Sequence, residues 1–171
     1  MKGFTIPELL VSVFIITLMT AITVSSWRGG EATLALDRAA HKLAQDMRKA
    51  MELAQRAQPF DCTVGSGSIS GYGIYVSRSD PASYILYVEC NGNEIYNPGP
   101  DAQFQEVFLE NKIEISSAAP NSFSVFFAPP VPTITIQPGP LNQAQVTLSV
   151  VGDPSRFKIV TITNKGVIDI D

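Results

Sequence analysis

Glu8 is the one charged side chain between Phe4 and Trp27. A carboxylate in such a stretch has two uses: it ionises and seeks a cation, or it stays neutral and donates a hydrogen bond. The other reactive groups are few. Cys62 and Cys90 are too far apart for C-x-x-C chemistry and too few for a zinc cluster. They pair if the body of the chain lies outside the cytoplasm; otherwise they are two buried thiols. A bond between them would stabilise by about 3 to 4 kcal/mol in the chain-entropy model. His41 is the single histidine and stands beside Arg38 and Lys42 on a helical pattern, so it reads as a solvated residue and no Ser-His-Asp set is available. GSGSISGYG lacks both G-x-G-x-x-G spacing and a P-loop lysine and reads as a loop. Glu89, Asn91, Asn93, Glu94 and Asp101 supply oxygens of the kind that hold calcium. EF-hand spacing is missing, so the stretch reads as an Asn-Gly turn on an acidic surface. No catalytic set, metal site or cofactor is expected.

Those residues must be positioned by two kinds of element. Leu9 to Trp27 runs nineteen residues without a charge, and at about 1.5 Å per residue it spans roughly the 30 Å hydrocarbon core of a bilayer. Lys2 marks the N-terminus as the cytoplasmic end, a signal weakened by Arg28 at the other end. Beyond Gly29-Gly30, Leu36, Ala40, Leu43, Met47, Ala50, Ala54 and Ala57 recur at steps of three and four and form one apolar stripe. Lys42 with Asp46, and Glu52 with Arg56, are i,i+4 pairs. The expectation is one long helix from Phe4 to Gln58, loosened if anywhere at Gly29-Gly30 and ended by Pro59.

After Pro59 the period changes. GYGIYVS and SYILYVEC, separated by RSDPA, read as a hairpin, and EIYN as a further short strand. EVFLENKIEIS should break near Asn111, and SFSVFFA, TITIQ, AQVTLSVV, FKIVTIT and VIDID complete the set. Strands at this spacing without helices between them imply an antiparallel sheet or two-sheet sandwich, with the helix covering one face. The fold class is therefore α+β. Its divisions are a leader (1-3), a transmembrane helix (4-28), its amphipathic continuation (29-58) and a β-rich domain (59-171). Of the net charge of −4, residues 59 to 171 carry eleven acids against five bases, which argues against nonspecific nucleic-acid binding.

At Lys2-Gly3-Phe4-Thr5-Ile6-Pro7-Glu8-Leu9-Leu10-Val11 the chain resembles type IV prepilins and type II secretion pseudopilins. Their N-terminus is a short basic leader ending in Gly, then Phe-Thr, a carboxylate at the fifth mature residue and an apolar helix. The resemblance implies cleavage between Gly3 and Phe4 by a prepilin peptidase, N-methylation of Phe4, and an assembly role for Glu8. Pro7 departs from the commoner Ile or Leu, but it falls in the first helical turn, whose N-H groups lack intrahelical acceptors. Ser25 stands where many major pilins carry a kinking proline.

HKLAQDMRKAMELAQRAQ, GYGIYV, YILYVECNGNE, SFSVFFAPP and FKIVTITNKGVIDID resemble the H-type minor pseudopilins and related minor pilins. What this implies is a non-enzymatic, minor filament subunit stored in the cytoplasmic membrane, its β domain extracytoplasmic. Its partners would be other pilin or pseudopilin subunits, the peptidase/methyltransferase, a membrane platform protein, indirectly an assembly ATPase, and membrane lipid before assembly. The alternatives are a major pilin and a monomeric membrane-tethered binding domain. With one lysine and two aspartates, the terminal NKGVIDID gives no basis for direct DNA binding.

Overall fold

The structure is a computed structural model; it describes residues 5–62, 69–131 and 133–171, with the backbone alone for 24–29. It is α+β. A single helix, α1 (Ile6–Gln55), precedes nine strands. The chain divides into one compact unit of residues 1–34 and another of residues 35–171.

In the first unit, Ile6–Thr23 has a mean hydropathy of 2.0 and none of its residues is buried. It is long and apolar enough to cross a membrane. Its hydroxyls turn back on their own helix: Ser12 donates to the Glu8 carbonyl at 2.8 Å, Thr17 to Val13 and Thr20 to Ile16, both at 2.7 Å. Such back-bonding satisfies a polar side chain where water is absent.

In the second unit the amphipathic part of α1 buries Ala35, Leu36, Ala39, Ala40, Leu43, Ala44, Met47, Ala50 and Ala54. Ala57, expected on that stripe, is exposed. The helix has already ended there: Ala57 takes φ 44°, its N-H donates to the Ala54 carbonyl, and Gln58 N-H reaches back to Leu53 at 3.2 Å. This is the paired-bond C-terminal cap that satisfies final-turn carbonyls, here built on an alanine rather than the usual glycine. It ends the helix one turn before the expected Gln58.

The strands are β1 (Gly71–Ser77), β2 (Ser83–Glu89), β3 (Ala102–Phe108), β4 (Ile113–Ala119), β5 (Ser122–Ala128), β6 (Thr133–Gln137), β7 (Gln143–Val150), β8 (Asp153–Thr163) and β9 (Ile168–Ile170). They form two antiparallel sheets, ordered β3-β2-β1-β5-β6 and β4-β7-β8-β9. The chain breaks between β3 and β4 around Asn111 as expected, whereas the anticipated strand at 94–97 does not form.

Register places one apolar face of each sheet against α1. In the first sheet Tyr72, Ile74 and Val76 stand opposite Phe127, Val125 and Phe123, and all six are buried. In the second, Val146 opposes Val160 and Ala144 opposes Ile162, with the alternation of a sheet covered on one side. Polar contacts tie both faces to the helix. Buried Tyr84 on β2 donates to Asp46 at 2.6 Å, and Lys158, opposite Leu148 on β8, lies 3.8 Å from Asp37. Both helix acids of this stretch thus turn toward the sheets, while Arg38, His41, Lys42, Arg48 and Lys49 stay exposed.

Candidate functional site

Glu8 sits in the first turn of α1 on an exposed surface. Its backbone N-H donates to the Thr5 carbonyl at 3.1 Å. Among the described residues no side-chain hydrogen bond or ion pair reaches its carboxylate. The hydroxyls of Ser12, Thr17, Thr20 and Thr23 find acceptors within their own helix. A carboxylate has no equivalent option there, because helix carbonyls are acceptors only. Gly3 and Phe4, the residues of the expected cleavage and methylation, lie outside the described residues.

The second place where reactive groups meet is the end of the first sheet. Cys62 and Cys90 are joined in a disulfide with Cα atoms 5.8 Å apart. Both are buried. The bond ties the segment that follows α1 to the residue after β2, and Tyr72 reinforces the attachment by donating to the Gln58 carbonyl at 2.7 Å. Burial pushes the Tyr72 hydroxyl pKa up.

Directly beside the disulfide, the loop from Cys90 to Pro100 folds over the outer face of the first sheet. Tyr96 packs on Tyr75 and on Tyr87, each at 5.2 Å between ring centroids, and its N-H donates to Ser124 Oγ at 3.0 Å. This stacking explains why EIYN, with the alternation of a strand, is not one: Tyr96 lies half-buried across a sheet face rather than along a sheet edge. Gly73 allows the arrangement, since a Cβ there would collide with the Tyr87 ring.

Two acids organise that loop. Glu89 Oε1 accepts the N-H groups of Asn91 at 3.1 Å, Gly92 at 2.8 Å and Asn93 at 3.3 Å. Asp101 accepts Cys90 N-H on one oxygen at 3.1 Å and Asn97 N-H on the other at 2.7 Å. Gly92, at φ 81°, makes the expected Asn-Gly turn. The acids do not, however, lie on an acidic surface as expected: Glu89 is 0% and Asp101 6% exposed. Burial foremost, and then the neighbouring Asp101 charge, push the Glu89 carboxyl pKa up, against the opposing pull of its three N-H donors. Sequence reasoning missed this because Glu89 looks like the polar residue that ends a strand.

The remaining candidates behave as solvated residues. His41 is exposed, and no group of three or more His, Cys, Asp or Glu side chains that could hold a metal occurs among the described residues. An open recess of about 320 Å³ lined by Arg78, Ser79 and Asn121 lies at the β1–β2 turn. No family model, curated protein or solved structure matches the chain.

Proposed function

We propose that this chain is a non-enzymatic subunit of a type IV pilus or type II secretion pseudopilus, most like the H-type minor subunits. In this reading it is stored in the cytoplasmic membrane with its β domain outside, then assembled into a helical filament. The observation that carries the proposal is Glu8: one carboxylate, without a described partner, on an apolar helix of membrane-spanning length whose other polar side chains are satisfied internally. An ionised carboxylate at membrane depth costs several kcal/mol unless a cation joins it.

Cleavage after Gly3 creates that cation, the amine of Phe4, on this chain and on every neighbouring copy or related subunit. Glu8 pairs with the Phe4 amine of a neighbour or with its own; the neighbour's amine becomes available when subunits come together, so relief of the unpaired charge favours entry into the fibre. The disulfide and the two-sheet body support the same reading, since a disulfide persists on the oxidising side of the membrane. Such a filament is a head-to-tail assembly, in which each subunit offers one surface to the next and growth does not close. The leader peptidase and methyltransferase, a membrane platform protein and, through it, an assembly ATPase would be the machinery that acts on the chain.

Intact-mass measurement of the membrane-extracted protein tests the processing. A mature chain beginning at Phe4 and carrying one added methyl is expected; retention of Met1 to Gly3 in cells with an active peptidase would refute the reading. Glu8→Ala, processed normally, should remain in the membrane and fail to enter filaments. Undiminished incorporation of that variant would remove the role assigned to the carboxylate.

A further inference from the structure

Where α1 enters the body, backbone hydrogen bonds gather four turns. Leu109 N-H donates to the Ala82 carbonyl and Ile115 N-H to that of Pro81, which joins the β3–β4 connection and β4 itself to the β1–β2 turn. Arg78 N-H donates to the Asn121 carbonyl and Val151 N-H to that of Lys112, which adds the β4–β5 and β7–β8 turns; all four bonds measure 2.8 Å. Arg38 pairs with Glu110, and Asp37 lies near Lys158, so these turns stand beside the first turns of the helix within the body.

Charge and exposure single out this end. Residues 59–171 hold five Lys and Arg, and Arg78, Lys112, Arg156 and Lys158 stand on these turns or on the part of β8 that leaves them. Three of the local acids face cations: Asp37 with Lys158, Glu110 with Arg38 and Asp153 with Arg156. Asp80 accepts the Ser83 hydroxyl, and Glu114 follows on β4. Arg78 and Lys112 are exposed and have no described ion pair. Positive and negative charges thus balance here, whereas Glu89, Glu94 and Asp101 gather at the far end of the first sheet without a described cation. Among these cations, Phe108, Val151 and Phe157 are 69%, 53% and 52% exposed. The open recess between Arg78, Ser79 and Asn121 belongs to the same turns. Exposed aromatic and aliphatic side chains interleaved with Lys and Arg are the chemistry of a surface that lies in a lipid interface.

Chain length decides what meets this surface. Eleven residues separate Thr23, the last of the apolar segment, from Ala35, the first of the body. Even fully extended they span no more than about 40 Å. A second copy must first find these turns, whereas a bilayer around the segment is already at the other end of the tether. We infer that this end of the body docks on the phospholipid surface, with Phe108, Val151 and Phe157 entering the headgroup layer and Arg78 and Lys112 meeting lipid phosphates. The inference rests on the reading of Ile6–Thr23 as a membrane anchor, and on no step of cleavage, methylation or filament entry. Before assembly the body would rest on the membrane through these turns, and it would have to leave the membrane to enter a filament.

The full chain in nanodiscs, at one chain per disc, provides the test. Cys62 and Cys90 are bonded and buried, so a fluorophore attaches only at an added cysteine. Asn111→Cys places it on the exposed β3–β4 turn; Lys165→Cys places it on the β8–β9 turn, where a Cβ on Gly166 would touch Met51 late in the helix. Discs of phosphatidylcholine with phosphatidylglycerol carry a nitroxide at headgroup level. The Asn111→Cys label should be quenched several-fold more than the Lys165→Cys label. That quenching should fall several-fold in Phe108→Ser/Phe157→Ser and in Arg78→Gln/Lys112→Gln, with each chain still in its disc.

Quenching no greater at Asn111→Cys than at Lys165→Cys would overturn the inference. So would quenching that survives either pair of substitutions, since the tether alone would then account for it. Quenching that appears only with several chains per disc would assign the surface to a second copy, which also overturns it. A chain that does not enter discs sinks the anchor reading together with the docking surface; a chain that enters and shows no such quenching sinks the docking surface alone. If Phe108→Ser/Phe157→Ser fails to fold, Val151→Ser decides: it should lower the quenching, and an unchanged value counts against the surface.

Discussion

The apolar segment Ile6–Thr23 and the body Ala35–Asp171 are both built from aliphatic side chains, yet they treat them in opposite ways. In the body, Met47, Ile74, Phe127 and Val146 are at or near zero exposure, covered by the chain's own helix and sheets. In the apolar segment, Leu10, Phe14, Ile16 and Met19 are each about two-thirds exposed. The same contrast governs their acids. Asp46 is held by Tyr84 and Lys42, while Glu8 has no described partner among side chains. The body contains what it needs for its own folding, and the segment calls for a surrounding medium or a second helix. Folding of the body and the surroundings of the apolar segment are therefore separable properties of this chain.

That separation can be broken experimentally at the body without touching the segment. Replacing Cys62 and Cys90 by serine should have an effect as large as any, a loss of about 3 to 4 kcal/mol for a closed loop of this size. Chemical denaturation of the oxidised wild type and the double variant would measure it. A loss below about 1 kcal/mol would show that Tyr72 and the sheet hold the helix exit unaided.

Met47→Ala should follow, at about 2 to 5 kcal/mol, because Met47 is fully buried where α1 meets the sheets. Tyr84→Phe comes next. It leaves the nearly buried Asp46 with Lys42 as its remaining side-chain partner, and should cost about 1 to 3 kcal/mol. Neither variant should alter retention of the protein in the membrane fraction. If destabilised bodies also left the membrane, the two regions would not be independent.

The smallest effect belongs to Arg38 and Glu110, a two-bond pair at 2.9 and 2.7 Å on the surface. Arg38→Ala should cost under about 1 kcal/mol. The hydrogen bond from Arg38 holds the Glu110 carboxyl below its ordinary pKa, so its contribution is present above the ordinary carboxylate range and fades as pH falls through the depressed value. The difference between wild type and Arg38→Ala should accordingly shrink in acid. A difference constant from pH 7 to pH 2 would assign it to packing instead.

Much of the architecture was legible because each element satisfies a local rule. Leu36, Ala40, Leu43 and Met47 announce a helix by spacing alone, and Pro59 sets a limit to it. The strands declare themselves by short apolar runs between turn residues, including the break near Asn111. What escaped depends on distant partners. Ala57 keeps the helical period, but the chain has already turned left-handed at that residue. Tyr96 alternates like a strand residue but packs, half-buried, on two rings across the sheet. Glu89 meets Asp101 only because the eleven-residue loop from Cys90 to Pro100 returns the chain to the neighbouring strand. Around Glu8 the situation is reversed: the misplaced charge is legible in ten residues, and no described side chain of the fold answers it.

One further consequence follows from the inward turn of Asp37 and Asp46. With Asp37 set against Lys158, Asp46 against Lys42 and Glu110 against Arg38, the solvent side of the helix keeps Arg48 and Lys49 as cations without a described ion pair. A chain of net charge −4 therefore carries a cationic strip alongside an anionic body. Two such molecules approaching at random experience a torque that turns strip toward body before any surfaces touch. This orienting field weakens within about 8 Å at physiological ionic strength, which makes salt a control on how copies meet rather than on whether each one folds.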